Sequence, residues 1–133
     1  MNRYLLDTNI ASHIIRGDSP AILDRLVSVP LSDIFISAVT EAELLYGLEK
    51  RGRPSGLSKR VDAFLIRVTI DPWSRTAALA YAGLRTKLER CGRPLSSMDL
   101  MIAAHALSMD ATLVTRNSAF SQVSNGLRVD AWN

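Results

Sequence analysis

Apolar and polar positions along this chain follow two rhythms, short β-branched or apolar runs and longer stripes at helical spacing, and their alternation predicts an α/β protein. The opening run Arg3-Tyr4-Leu5-Leu6 breaks abruptly into Asp7-Thr8-Asn9, the pattern of a buried strand whose far end delivers a carboxylate and two hydrogen-bonding side chains. Ile10, Ala11, Ile14 and Ile15 then recur at helical spacing over residues 9–16, with Gly17 as the stop. Ser19-Pro20 opens a second helix whose buried face is Ile22, Leu23, Leu26 and Val27. Ile34-Phe35-Ile36-Ser37 reads as a second strand, parallel to the first. A helix follows from Thr40 through Leu48, and another carries Leu57, Val61, Phe64 and Leu65. Val68-Thr69-Ile70 predicts a third strand, and Ser74 opens a long helix stopped by Gly92-Arg93-Pro94. Ser96-Ser97 caps a helix over 98–109, Thr112-Leu113-Val114-Thr115 is a fourth strand, and Leu127-Arg128-Val129 a weak fifth. Short strands alternating with helices imply right-handed crossovers and a short, mostly parallel twisted sheet flanked by helices on both faces. Residues 1–133 are expected to form a single domain, with no internal repeat.

Composition narrows the chemistry. Hydrophobic residues make up 47% of the chain, yet no apolar run approaches the roughly 20 residues of a membrane span, so a soluble, cytoplasmic protein without membrane contact is expected. One cysteine and two histidines leave no set at zinc-ligand spacing, so any metal site must use oxygen donors, favouring Mg²⁺ or Mn²⁺. The formal net charge of +3 hints at a polyanionic partner. Basic residues cluster at Lys50, Arg51, Arg53, Lys59 and Arg60 and again at Arg85, Lys87, Arg90 and Arg93, where solvated faces are the plain alternative.

Three acids fall near strand ends or helix starts. Asp7 alone could serve only as a helix cap. Glu43 stands three residues after Thr40, at capping-box spacing, and Asp99 stands likewise after Ser96. The helix bearing Asp99 is apolar nearly all round and should be buried on several sides, and His105 within it reads as a core or surface histidine rather than a ligand. Together the three acids suggest a cation site beyond the carboxyl ends of the strands, where ligands bind in open α/β sheets. Asn117, after the fourth strand, could orient a carboxylate or a water, or merely form the turn.

These strings resemble the motifs of the PIN-domain ribonucleases, and among them the VapC-type toxins of bacterial toxin–antitoxin pairs. Leu5-Leu6-Asp7-Thr8-Asn9 resembles the first motif, residues 37–47 around Glu43 the second, Asp99-Leu100-Met101-Ile102-Ala103-Ala104-His105-Ala106 the third and Leu113-Val114-Thr115-Arg116-Asn117 the fourth. Four such strings in order span nearly the whole chain. The resemblance implies a PIN-like three-layer fold and a Mg²⁺- or Mn²⁺-dependent endoribonuclease using Asp7, Glu43 and Asp99 as metal-binding, catalytic acids. Thr8, Asn9, Ser37, Thr115 and Asn117 would orient these acids or the phosphate, and Arg85 and Arg116 would contact RNA. It also implies a cognate VapB-like antitoxin and a homodimer. Apolar surface for such partners is expected from Ile10, Ile14, Ile15, Ile22 and Leu26. One departure is that residues 117–120 supply no fourth acid, which leaves a second metal position unsupported. A catalytically silent RNA-binding or regulatory module on the same fold is the alternative; a receiver-like phosphoacceptor domain lacks its paired acids and late lysine here.

Overall fold

The computed structural model describes residues 2–93, 95–123 and 126–133. Five strands, β1 (Tyr4–Leu6), β2 (Ile34–Ser37), β3 (Thr69–Asp71), β4 (Thr112–Val114) and β5 (Arg128–Asp130), form one sheet in the order β3-β2-β1-β4-β5. Every pairing among them is parallel, which sharpens the mostly parallel expectation. Among the described residues six helices pack around it: α1 (Thr8–Arg16), α2 (Pro20–Ser28), α3 (Ala38–Lys50), α4 (Ser55–Arg67), α5 (Arg75–Arg90) and α6 (Ser97–Met109). None of these is long and apolar enough to cross a membrane.

Register divides the core into two layers. Leu5 pairs with Phe35 and Leu113, and these face α5 and α6 with Leu84, Leu88, Leu100, Ile102 and Phe120. The next residue along each strand points the other way, as the two-residue period of a strand requires. Leu6, Ile36 and Val114 accordingly join Ile10, Ile22, Val61, Phe64 and Trp132 in a second layer against α1, α2 and α4. Trp73 packs on the edge of the first layer, where its indole N–H donates to the Met101 carbonyl at 3.0 Å.

Several expected boundaries move. α3 begins at Ala38, two residues before Thr40, because the hydroxyl of Ser37 at the end of β2 accepts the Val39 N–H at 3.0 Å and caps the helix there. Thr40 is therefore a buried residue inside the first turn, and no capping box joins it to Glu43. β3 and β5 each end one residue later than expected, at Asp71 and Asp130. Asp71 is thereby placed on the sheet edge. Ser96 does cap α6, accepting the Asp99 N–H at 3.2 Å. Ile10 and Ile22 are core residues rather than spare surface, since both fill the second layer. Pro94, expected to stop the long helix, lies outside the described residues.

Candidate active site

In the order β3-β2-β1-β4-β5 the chain builds leftward from β1 to β3 and then returns to the other side of β1 for β4. The crevice at such a reversal, beyond the carboxyl ends of the two strands, is where an open parallel sheet can admit a ligand. Asp7 follows β1 at that point, and its N–H donates to the Val114 carbonyl of β4 at 3.0 Å. Its side chain is 4% exposed, and Oδ1 accepts the Ile10 N–H at 2.8 Å. Asp7 is thus both the cap of α1 and an acid at the reversal, so the two roles set against each other in the sequence coexist. Burial pushes its carboxyl above the ordinary range; hydrogen bonds from the Thr115 hydroxyl and the Ile10 amide work against that rise, and the charges of Asp99 and Glu43 add to it.

Glu43 and Asp99 each approach from a different helix. Thr8 Oγ1 donates to Glu43 Oε1 at 2.6 Å and stands 3.3 Å from Thr40 Oγ1, so the first turn of α1 holds the carboxylate of α3. Asn117 Nδ2 donates to Asp99 Oδ2 at a long 3.5 Å, while Asn117 Oδ1 accepts the Ala119 N–H at 3.0 Å and caps the 3₁₀ turn Ser118–Gln122. Asn117 thus both forms the turn and reaches an acid. Thr115, buried at the end of β4, steers Asp7 and accepts the Asn117 N–H at 3.0 Å. Each of the three acids is therefore oriented by a neutral donor. Among the described residues, none of them pairs with a lysine, arginine or histidine.

The remaining expected site residues differ in what they touch. Asn9 is exposed on the first turn of α1. Arg116 donates from Nε to the Ala131 carbonyl at 3.1 Å and from Nη2 to the Trp132 carbonyl at 3.0 Å, which turns its guanidinium toward the chain's own C-terminal segment. Arg85 lies on the exposed face of α5 against Tyr81 and Glu89. Ser37 caps α3 and is fully buried. A cleft of about 140 Å³ opens beside Glu43, lined also by Thr8, Ser12, Gly47, Arg16 and Arg51. Arg16 went unremarked in the sequence; it sits in the last turn of α1, at the end away from Asp7, and its Nε donates to Asp18 at 2.8 Å.

The donors fit a hard divalent cation by chemistry: carboxylate, hydroxyl and amide oxygens, the three acids having no salt-bridge partner among the described residues. As placed, however, no three His, Cys, Asp or Glu side chains among the described residues stand close enough to hold one cation together. Glu43, drawn to Thr8, suits contact through a water more readily than direct ligation.

A parallel sheet reversing at β1/β4, with acids from a strand end and two helices at that reversal, defines a PIN-domain architecture, and the chain belongs to that family: the PIN domain model matches residues 4–126. Within the family its relatives are VapC proteins. The chain is 32% identical over 133 residues to the tRNA(fMet)-specific endonuclease VapC of Shigella flexneri, covering 100% of both. It is 35% identical over 132 residues to ribonuclease VapC2 of Rickettsia felis, covering 98% of each. Among solved structures, VapBC from Salmonella typhimurium bound to DNA superposes with a TM-score of 0.91 at 32% identity over the full length of both chains. VapBC2 from Rickettsia felis bound to a promoter DNA fragment superposes at 0.87 and 34% identity, covering 96% of each.

Proposed function

We propose that the protein is a divalent-metal-dependent endoribonuclease of the VapC type, hydrolysing RNA phosphodiester bonds at the β1/β4 reversal and held in check by a cognate antitoxin. The observation that carries this is the set of three carboxylates, each oriented by a neutral partner and none in a salt bridge among the described residues. Asp7 and Asp99 would hold Mg²⁺ or Mn²⁺, with Glu43 reaching it directly or through water. Bound there, the ion would acidify a water and neutralise charge on the phosphate. The chain's own groups do the rest. Thr115 and the Ile10 amide fix the Asp7 carboxylate, Thr8 holds Glu43, Asn117 steadies Asp99, and Arg51 would place positive charge along the cleft for a polyanionic strand.

The Shigella relative's name makes tRNA(fMet) the first RNA to try. Cleavage of tRNA(fMet) and of an unrelated RNA should be seen with Mn²⁺ or Mg²⁺, vanish in EDTA, and fall by more than about 100-fold in Asp99→Asn. Cleavage that survives both treatments rejects the metal mechanism; RNA binding without cleavage by the parent protein favours the silent module.

The solved relatives are VapBC assemblies, and a surface suited to such a partner is present. A groove of about 510 Å³ is lined by Ile14, Leu26, Val27, Leu31, Phe64 and Val68, with Arg60 and Arg67 also in its wall. Of the residues expected to supply apolar surface, Ile14, Ile15 and Leu26 line this groove, and Val27, 82% exposed, and Leu31, 53% exposed, extend it. An antitoxin segment with apolar anchors and acidic flanks would fit it. Leu31→Asp should weaken co-purification with the cognate antitoxin, lowering affinity by roughly 30-fold or more as measured by calorimetry, while RNA cleavage by the free protein is unchanged. Homodimerisation belongs to the same proposal, with exposed Tyr46 on α3 and Leu79 on α5 available to a second copy; sedimentation tests it.

A further inference from the structure

His105 lies on α6, six residues beyond Asp99, and is 1% exposed, yet both ring nitrogens are engaged. Nε2 stands 2.8 Å from Asp71 Oδ2 at the end of β3, and Nδ1 stands 2.7 Å from Ser37 Oγ at the end of β2. Ser37 Oγ already accepts the Val39 N–H, so its own proton is free for Nδ1, and the Asp71 carboxylate only accepts. With the proton on Nε2 the ring satisfies both neighbours. It donates to Asp71 and accepts from Ser37, and each donor in the row Val39 N–H, Ser37 O–H and His105 Nε2–H has an acceptor. Acid, imidazole and hydroxyl stand in the order of a nucleophilic triad, but Ser37 is fully buried and its oxygen caps a helix, so no substrate reaches it.

We propose that His105 is a positioning residue for the carboxylate site: through Ser37 and Asp71 it locks α6 to the ends of β2 and β3, fixing how Asp99 stands relative to Glu43. This rests on the metal-dependent reading above. Ser37 caps the helix that carries Glu43 six residues further on, and His105 follows Asp99 by the same interval. One ring thus ties together the two helices that supply these acids, each at a point about 9 Å along its axis from the carboxylate. Packing alone would fix this less well. α6 also buries Leu100, Ile102, Ala103, Ala104 and Ala106, but such apolar contacts are non-directional. Directional bonds from a buried imidazole supply that register. A metal site needs it, because its oxygens must be held within about 0.5 Å of their working positions.

The test is Mn²⁺ affinity of the full chain without RNA, followed by electron paramagnetic resonance, alongside thermal unfolding and RNA kinetics. His105→Leu should weaken Mn²⁺ binding by roughly 10-fold or more and lower kcat, with KM for RNA held within about 2-fold. His105→Gln, able to keep one of the two bonds, should recover part of the loss. Ile22→Ala, a core truncation in the other layer, should lower the melting temperature without moving Mn²⁺ affinity. Should His105→Leu fail to fold, Asp71→Ala keeps the ring and removes its half-buried anchor, and it should weaken Mn²⁺ by about 3-fold or more. Mn²⁺ affinity within about 2-fold of the parent in folded His105→Leu, or in Asp71→Ala where that variant is needed, overturns the proposal. A parent protein that neither binds Mn²⁺ nor cleaves RNA instead rejects the function proposed above.

Discussion

Replacing Asp7 by Asn should make the protein more stable and inactive. The amide oxygen of Asn can still accept the Ile10 N–H, and Asn caps helices as well as Asp does, so α1 keeps its start. What disappears is a buried charge. Because burial and the neighbouring acids raise the Asp7 carboxyl above its ordinary range, the folded protein retains a proton that the unfolded chain has already released. Stability therefore falls as pH rises through the interval between the ordinary and the raised value, and stays lowered above it. A neutral amide in its place carries no such penalty. In EDTA, Asp7→Asn should gain about 0.5–2 kcal/mol at neutral pH, and the difference should close below the ordinary carboxylate range. RNA cleavage should drop by more than about 100-fold, beyond the span typical of residues one step removed from a metal. Denaturant melts at several pH values and a cleavage assay check both halves; a variant as active as the parent would remove Asp7 from the chemistry.

Trp132→Ala should be the most damaging single truncation. The side chain is fully buried in the second layer, with the Tyr4 ring centroid 5.9 Å away and the Arg25 guanidinium carbon 5.9 Å from its own. Arg25 is in turn fastened to Asp130 at 2.7 Å, and Asp130 Oδ1 accepts the Trp132 N–H at 3.0 Å. Losing the ring should cost about 3–5 kcal/mol, a large share of the roughly 5–15 kcal/mol that holds a domain folded. Trp132→Phe separates packing from polarity. The indole N–H is the one buried side-chain polar atom without a partner among the described residues, so its removal offsets part of the lost volume. Phe should therefore cost less than about 1.5 kcal/mol. Thermal melts of the two variants decide this; equal losses would mean that the ring's packing matters less than its geometry implies.

Element types were legible because β1, β2 and β4 are short apolar runs cut by polar residues and most helices carry a clear stripe. Boundaries were less so where two local signals competed. Ser37 and Thr40 are both good caps, and Thr40 has Glu43 at the favoured spacing; burial of Thr40 against Thr8 decided for Ser37. That choice also released Glu43 from capping and left it to α1. Asp7 and Asp99 could be placed at the sheet edge because each adjoins an element boundary. The tie through His105 could not, since its partners lie 34 and 68 positions away and neither carries a local pattern. Arg116 misled for a related reason. Its neighbours in sequence belong to the site, but the groups that satisfy its guanidinium are carbonyls 15 and 16 residues further on.

The division of the core into two layers has a spectroscopic corollary. The chain has two tryptophans, and each side of the sheet holds one: Trp73 beside the layer under α5 and α6, Trp132 inside the layer under α1, α2 and α4. Single-tryptophan variants thus give each layer its own fluorophore. Emission from Trp73, bonded to a carbonyl of the helix that carries Asp99, reports on that helix, and emission from Trp132 reports on the side that bears the apolar groove. Comparing the two during unfolding would tell whether the sheet parts from both its coverings at once.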